Sequence, residues 1–264
     1  MKKSIFLTLL MIFTVTATFS QRWKLRRYEA SFGIGSTNIF GDVGGTADEN
    51  NLYGLKDIRF GETRPSVHAG LRYKITQLMA VNLNINYGYG IGNDEGSRNN
   101  DRGYTFRTSI FEPSVQYEYY IIPEEKRTKS AAIFNRRGMI NNYSKIGLYA
   151  FAGAGGAIFN PELEGAEARS AEETSGYSTF TIAFPIGLGL KYTIDDRWFV
   201  GFELGGRYTL TDWLDGFNPT VEANTARDIY YFSSVSAVYR IKTDRTGVPL
   251  FLRKINLNRK RIGK

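Results

Sequence analysis

The chain has 264 residues, with 28 glycines, 17 tyrosines, 18 phenylalanines and no cysteine. Without cysteine it cannot form disulfides, thiolate metal sites or a lipid-modified cysteine anchor. The mean hydropathy is −0.30, and no apolar run reaches the roughly 18 residues that a transmembrane helix needs. Composition therefore excludes a lipoprotein, a disulfide scaffold and a helical membrane protein.

Residues 1–20 have the layout of a secretory signal peptide. Lys2 and Lys3 precede an apolar stretch that starts at Ile5 and ends near Ala17. This stretch is too short and wrongly flanked for a membrane anchor, so we expect it to be removed on export. The rest of the chain then carries 32 basic and 26 acidic residues.

Beyond the signal peptide, large apolar residues alternate with small or polar ones. Between residues 178 and 194 the even positions are almost all large and apolar, whereas the odd positions hold Thr, Ala, Pro, Gly and Lys. A period of two is typical of β-strands. Eight such runs occur: 27–37, 64–75, 78–90, 104–121, 144–159, 178–194, 197–211 and 228–242.

A soluble sandwich also alternates, but three features favour a membrane barrel: the signal peptide, the length of the runs, and charges on the less apolar face. We therefore predict an all-β fold. It is an eight-stranded antiparallel transmembrane β-barrel over 21–242 with long outer loops, a periplasmic insertion at 122–143 and a basic periplasmic extension at 243–264.

Charged residues of both signs are predicted to face the lumen, where they can pair and fill it. This set is Glu29, Arg72, Lys74, Arg107, Glu112, Glu118, Lys145, Lys191, Glu203, Arg207 and Arg240. A diffusion porin needs about twice as many strands, so we do not expect one.

Eight strands and an exported N-terminus place both termini in the periplasm, with tight turns near residues 76 and 195. The periplasmic segments 21–27, 122–143 and 243–264 then hold 16 basic and 3 acidic residues. The outer loops hold 16 acidic and 6 basic residues; they are 38–63, 91–103, 160–177 and 212–227. This polarity could simply reflect translocation or solubility, or it could mark a periplasmic surface that attracts an acidic partner.

The residues predicted to bind that partner are basic, together with two apolar residues of the tail. They are Arg22, Lys24, Arg26, Arg27, Lys126, Arg127, Lys129, Arg136, Arg137, Leu250, Phe251, Arg253, Lys254, Arg259, Lys260 and Arg261. Nucleic acid is not an expected partner, because exported compartments contain little of it. Outer-membrane lipid is an expected partner.

No catalytic motif stands out. His68 is the only histidine, which excludes a multi-histidine metal site, and its place on a polar strand face favours a packed, hydrogen-bonded residue. Asp212 and Asp215 in TDWLD could bind a cation, but after a strand they more often cap backbone amides. We predict no enzyme, no metal and no cofactor.

Four segments carry a family resemblance: TNIFGD (37–42), RGYTFRTSIFE (102–112), KIGLYAFAGAGGAIFNP (145–161) and GFELGGRYTLTDWLD (201–215). With the spacing between them, they resemble the PorG family, small outer-membrane barrels associated with the type IX secretion system of Bacteroidota. The resemblance implies contact with the periplasmic ring formed by the lipoprotein PorK and its partner PorN. It implies no catalytic residue.

The leading hypothesis is therefore a non-enzymatic component of a secretion machine that docks periplasmic ring proteins. Three alternatives stay open: a barrel for adhesion or envelope integrity that acts through its outer loops, a narrow channel or lipid-binding barrel, and a membrane enzyme. Interior ion pairing separates the first hypothesis from a channel. Deletion of the outer loops separates it from an adhesin.

Overall fold

The computed structural model describes residues 26–45, 59–97, 99–123, 145–165, 178–217, 227–244 and 247–252. The chain divides into two units. One is Tyr28–Ile241, and the other combines Met1–Arg27 with Lys242–Lys264. The predicted signal peptide and most of the insertion at 122–143 lie outside the described residues.

The first unit is a closed barrel in which every strand pairs antiparallel with its neighbours in sequence, and β1 closes on β8. The strands are β1 (Tyr28–Phe40), β2 (Arg64–Lys74), β3 (Met79–Asn93), β4 (Thr105–Ile122), β5 (Ile146–Glu164), β6 (Phe180–Thr193), β7 (Trp198–Thr209) and β8 (Ile229–Arg240). The predicted eight-stranded barrel is confirmed.

Three strands are longer than predicted. β1, β3 and β5 continue past the expected limits at residues 37, 90 and 159, so parts of the predicted outer loops are strand. β3 and β5 extend because Thr105 of β4 pairs with both Asn93 and Glu164. The backbone groups beyond the apolar runs therefore still have hydrogen-bond partners.

The strand register gives the tilt of the barrel. Followed once around all eight strands, the pairing that starts at Ala150 returns to the same strand at residue 160, a shear of ten residues. Eight strands staggered in this way tilt by roughly 35–45° and enclose an interior that side chains can fill.

Both chain ends of the barrel lie at one rim, which we call the terminal end. The tight turns after β2 and β6 and the β4–β5 connection also lie there, and the turns close through bonds from Ile75 to Met79 and from Ile194 to Trp198. The opposite rim, the loop end, carries the connections β1–β2, β3–β4, β5–β6 and β7–β8. The predicted arrangement of connections is confirmed.

The outer wall is apolar around the barrel. Even-numbered residues of β6 are exposed, with Leu188 at 55%, while odd-numbered ones face inward. Exposed aromatic residues lie near both margins of this wall: Tyr119, Tyr192 and Trp198 toward the terminal end, and Tyr89, Phe180 and Tyr208 toward the loop end. A closed ladder without free edges, an apolar wall and aromatic margins are the properties of a transmembrane barrel.

Helices contribute little to the described residues. The short 3-10 turn Phe60–Glu62 precedes β2. Within the described ranges, no helix is long and apolar enough to cross a membrane.

The prediction is wrong for two of the residues expected to face the lumen. Arg107 lies on the outer wall of β4, exposed and in register with exposed Glu162, because Phe106 and Thr108 occupy the inner positions. Lys145 is exposed just before β5 begins. The other predicted lumen charges face inward.

Glycines on the inner face make room for aromatic rings. A Cβ on Gly189 would lie 2.1 Å from the Tyr149 ring, and one on Gly187 would lie 2.6 Å from the Phe151 ring. The alternating glycines of β6 therefore admit two large side chains from β5, as expected for glycine at a close approach.

Candidate functional site at the two ends of the barrel

A buried ion cluster occupies the lumen near the terminal end. Glu29 of β1 is fully buried and faces four bases on three other strands. Its carboxylate lies 2.5 Å from Lys191 Nζ, 3.2 Å from Lys74 Nζ, 3.3 Å from Arg240 and 3.5 Å from Arg72. Buried charges are tolerated only when paired and hydrogen-bonded, and this cluster meets that requirement across the β1–β8 seam.

Arg72 extends the cluster toward the middle of the lumen. Its guanidinium lies 2.6 Å from Glu118 and 3.2 Å from Glu203, and it donates to the Tyr149 hydroxyl at 3.0 Å. Tyr149 also donates to Glu203. Because β2, β4, β5 and β7 meet in these bonds, the cluster spans the cross-section of the barrel and blocks a wide aqueous path. The predicted pairing of lumen charges is confirmed.

His68 lies in the middle of the lumen. It is 4% exposed, with Nδ1 2.9 Å from Asn86 Oδ1 and Nε2 3.3 Å from Ser31 Oγ. A serine, a histidine and an amide in line are the components of a nucleophile and its base. Here they are enclosed by the barrel wall and the ion cluster, so the predicted packed, hydrogen-bonded role of His68 is confirmed.

The loop-end half of the lumen is largely apolar. Glu112 pairs with Arg207 at 3.3 Å and accepts the Tyr230 hydroxyl at 2.6 Å. Around them lies a buried apolar cluster of Ile39, Val43, Tyr104, Phe106, Ile110, Ala157, Phe159, Ala183, Leu214, Tyr230 and Phe232. The sequence analysis missed this cluster, because its aromatic residues occur in strands whose large apolar positions were expected to face lipid.

Two loop segments close over this cluster, and we call them together the lid: residues 41–45 after β1 and residues 211–217 after β7. Asp215 joins them. Its Oδ2 accepts the backbone N–H groups of Asp42 at 2.7 Å and Val43 at 3.1 Å, and its Oδ1 accepts the N–H of Phe217 at 2.9 Å. The predicted capping of backbone amides is confirmed for Asp215, which also bonds to a segment distant in sequence.

Asp228 holds the second lid segment from below. Its Oδ2 accepts the N–H of Leu214 at 2.8 Å, and its backbone bonds to Thr209 and Thr211. Asp215 is 0% exposed and Asp228 is 1% exposed. Burial and the neighbouring carboxylates raise the pKa of Asp228 well above its usual range, and burial raises the pKa of Asp215 to about 7.

A third carboxylate fixes the lid from the β3–β4 loop. Asp94 accepts the N–H of Gly44 at 3.0 Å and pairs with Arg102 at 3.1 Å. Arg102 also donates to the Asp42 carbonyl. Asp94 and Asp228 were not singled out in the sequence, since acidic residues are frequent in all four loops.

Among the described residues, no group of three or more His, Asp or Glu side chains is arranged to hold a metal ion. Asp94, Asp215 and Asp228 instead accept backbone N–H groups with their carboxylate oxygens, so these three side chains have a structural role.

Most of the predicted partner-binding residues fall outside the described ranges. These are Arg22, Lys24, Lys126, Arg127, Lys129, Arg136, Arg137, Arg253, Lys254, Arg259, Lys260 and Arg261. Of the remainder, Arg26 and Arg27 are half-buried, and Leu250 and Phe251 are exposed.

The start of the C-terminal extension forms its own small hairpin. Thr243 pairs with Pro249, Leu250 N–H donates to the Lys242 carbonyl at 3.0 Å, and Gly247 takes a positive φ of 85° at the turn. This hairpin displays four exposed apolar residues: Val248, Leu250, Phe251 and Leu252.

Several solved outer-membrane barrels are similar in structure. The N-terminal β-barrel domain of Pseudomonas aeruginosa OprF is 11% identical, with a TM-score of 0.37, and the match covers 81% of this chain and 97% of that one. OprG from Pseudomonas aeruginosa is 9% identical, with a TM-score of 0.40 and coverage of 83% and 98%. Ail from Yersinia pestis is 12% identical, with a TM-score of 0.37 and coverage of 81% and 97%.

No curated protein matches the sequence. A family model does: the one described as a domain of unknown function, DUF6089, matches residues 3–239, which include the whole barrel up to Tyr239. The chain therefore belongs to the DUF6089 family.

Proposed function

We propose that this barrel is a non-enzymatic outer-membrane component of the type IX secretion machinery. It docks periplasmic ring proteins of the PorK and PorN kind at its terminal end. The termini face the periplasm, and the acidic loop end faces the cell exterior.

The separation of charge between the two ends carries the proposal. In the closed topology β1 begins, β8 ends, and β4 and β5 are joined at the terminal end, which are the points of the chain that the three basic segments adjoin in sequence. These segments hold 16 basic and 3 acidic residues, whereas the predicted outer loops hold 16 acidic and 6 basic ones. Such a basic rim attracts and orients an acidic partner.

The filled lumen supports an anchor over a transport pore. Arg72 bridges three carboxylates across the barrel, and Tyr230 and Phe232 are buried in the apolar cluster beneath the lid. Cargo therefore has no route through this barrel, and its contribution to secretion is through its surfaces.

The hairpin at 242–252 supplies apolar contacts that charge alone does not. Phe251 is 53% exposed beside Leu250 and Leu252, and basic residues follow directly at 253 and 254. Apolar anchors contribute most of the energy of an interface, while surrounding charges speed and orient docking.

Site-specific photocross-linking tests the docking surface. A photoreactive amino acid at Phe251 should capture a ring protein in cells. The same group at Phe60, which is 91% exposed on the loop end, is the matched control and should not. Equal capture from both positions, or none from Phe251, would contradict the proposed surface.

Truncation tests the contribution to secretion. A chain ending at Lys242 retains all eight strands and should insert normally. It should lose ring proteins on purification and secrete less cargo. A stably inserted truncation with normal partner recovery and normal secretion would refute the role of the tail.

The absence of cysteine allows a direct test of orientation. A single cysteine at Phe60 should react with a membrane-impermeant maleimide in intact cells, and one at Phe251 only after the outer membrane is opened. The reverse pattern would invert the barrel and remove the periplasmic docking surface.

One observation favours a second function, adhesion or envelope integrity. At the loop end, Asp94 and Asp215 bond to the backbone of residues 42–44, which gives the described part of this end a defined surface. Shortening the loop at residues 166–177 distinguishes the two functions: docking should survive it, whereas an adhesive role should not.

A further inference from the structure

Two buried carboxylates lie side by side at the lid: Asp215 within its second segment and Asp228 directly before β8. A Cβ added to Gly41 would lie 2.5 Å from Asp215 Oδ2 and 2.9 Å from Asp228 Oδ1, so the two oxygens lie no farther apart than the sum of these distances. Each is hydrogen-bonded to backbone N–H groups within the described part of the chain.

Among the residues that the structure describes, the charged groups around this pair do not neutralise it. From the first lid segment comes Asp42, and from the second comes Asp212, both of which add negative charge. Arg102 pairs with Asp94 on the β3–β4 loop, and Arg227 donates to the Leu210 carbonyl. Farther along the rim, Arg59 pairs with Glu62.

Two buried carboxylates without a cation between them cannot both ionise cheaply, so one retains a proton. Asp215 accepts three N–H groups and Asp228 accepts one, which favours the ionised form at Asp215 and the protonated form at Asp228. Loss of the remaining proton places two negative charges beside Gly41, on opposite sides of the junction between the lid segments.

We propose that Asp215 and Asp228 form a proton-dependent latch that ties residues 41–45 to residues 211–217 over the loop-end mouth and releases them as protons are lost. The latch is independent of the docking function proposed above. Release exposes Val43 and Leu214, the buried apolar residues that the two lid segments contribute to the loop-end cluster.

The direction follows from linkage. The pKa of Asp215, about 7, and the pKa of Asp228 both exceed the ordinary aspartate value of 3.8. The closed lid therefore binds protons more tightly than the open one. Closure is complete at acidic pH and weakens as pH rises through about 7.

Amide hydrogen exchange of the folded full-length barrel reports the latch directly, because the N–H groups of Asp42, Val43 and Leu214 donate into the carboxylates. After correction for intrinsic rates, their protection should fall about tenfold or more between pH 6 and pH 8.5. Amides in the middle of β3 serve as the internal reference and should keep their protection.

Two variants separate the latch from general loosening. Asp228→Asn removes the titration of Asp228 and keeps a donor toward Asp215, so protection should fall much less between pH 6 and pH 8.5 than it does in the wild type. Asp212→Asn, at the half-buried rim, should retain the pH dependence. Should Asp228→Asn fail to fold, Gly41→Ala places a methyl group between the carboxylates and should lower protection at both pH values. Constant wild-type protection from pH 6 to 8.5, an unchanged slope in Asp228→Asn, or unchanged protection in Gly41→Ala would overturn the proposal.

Discussion

Replacing Glu29 by glutamine should destabilise the barrel by about 3–5 kcal/mol, the usual cost of removing one partner from a buried ion pair. Glu29 is the carboxylate nearest to Lys191, which is itself fully buried. The substitution leaves Lys191 beside Lys74 and Arg240 without the anion that they share. Their mutual repulsion puts the expected loss toward the upper part of this range.

The measurement is urea unfolding of the protein refolded into lipid vesicles. The folded fraction is monitored by the shift in electrophoretic mobility that heating causes. Glu162→Gln is the matched control, because Glu162 is exposed on the outer wall of β5 and its neutralisation should change stability little. If Glu29→Gln lowers the free energy of unfolding no more than the control does, the ion pairs of Glu29 do not stabilise the pairing of β1 with β8.

A double variant tests the reason for the loss. Lys191 lies over the Phe199 ring at 4.5 Å, so a methionine fits its apolar surroundings. Adding Lys191→Met to Glu29→Gln should recover part of the stability, since it removes the buried charge left without its partner. Additive losses would show that the two side chains act independently.

Four further outcomes are expected. Arg at Leu188, on the lipid-facing wall, should cost about 2–4 kcal/mol in the same unfolding assay if it lies near mid-bilayer, and unchanged stability would reverse the assigned faces. Asn84→Leu should be neutral or stabilising, because the buried Asn84 amide has no hydrogen-bond partner among the described residues. Asn86→Leu should instead lose about 1–3 kcal/mol of stability, because His68 and Glu112 each lose a hydrogen bond. Purified protein in planar bilayers should conduct negligibly, and steady large openings would contradict the filled lumen. The raised pKa values of Asp215 and Asp228 should lower the urea midpoint as pH rises from 5 to 8, an effect that Asp228→Asn should reduce.

The fold could be predicted from the sequence because the two faces of each strand meet different surroundings, lipid on the outside and a narrow lumen on the inside. Lipid requires large apolar residues outside, and a narrow lumen requires small or pairing residues inside, so the period of two is strong in segments such as 178–194. The same argument placed Glu29 and Arg72 in the lumen correctly, since each has an apolar neighbour on either side in sequence.

Arg107 shows where that argument fails. The prediction that Arg107 faces the lumen assumed that the more apolar face of a strand meets lipid along its whole length. At the loop end of β4 the inner residues Phe106 and Ile110 are apolar because they pack under the lid, and Arg107 and Ser109 take the outer positions. Above the bilayer the wall faces water, so the relation between polarity and face reverses along a single strand.

The lid could be predicted only in kind. An aspartate after a strand commonly caps nearby amides, and Asp215 does cap Phe217. Its bonds to Asp42 and Val43 join segments more than 170 positions apart, and no local spacing encodes that contact. The contact depends on β1 lying beside β8 in the closed barrel, which brings the end of β1 close to the chain around Asp228.

The interior of the barrel is stabilised by different interactions at its two ends. Near the terminal end the lumen is held by ion pairs centred on Glu29, whereas near the loop end it is held by apolar packing around Phe106 and Phe232. Within the described residues, the hairpin at 242–252 closes on itself through Lys242 and Leu250. Substitutions at its exposed apolar residues should lower the proposed partner binding, and the unfolding of the barrel measured on the same variants distinguishes a lost contact from a damaged barrel.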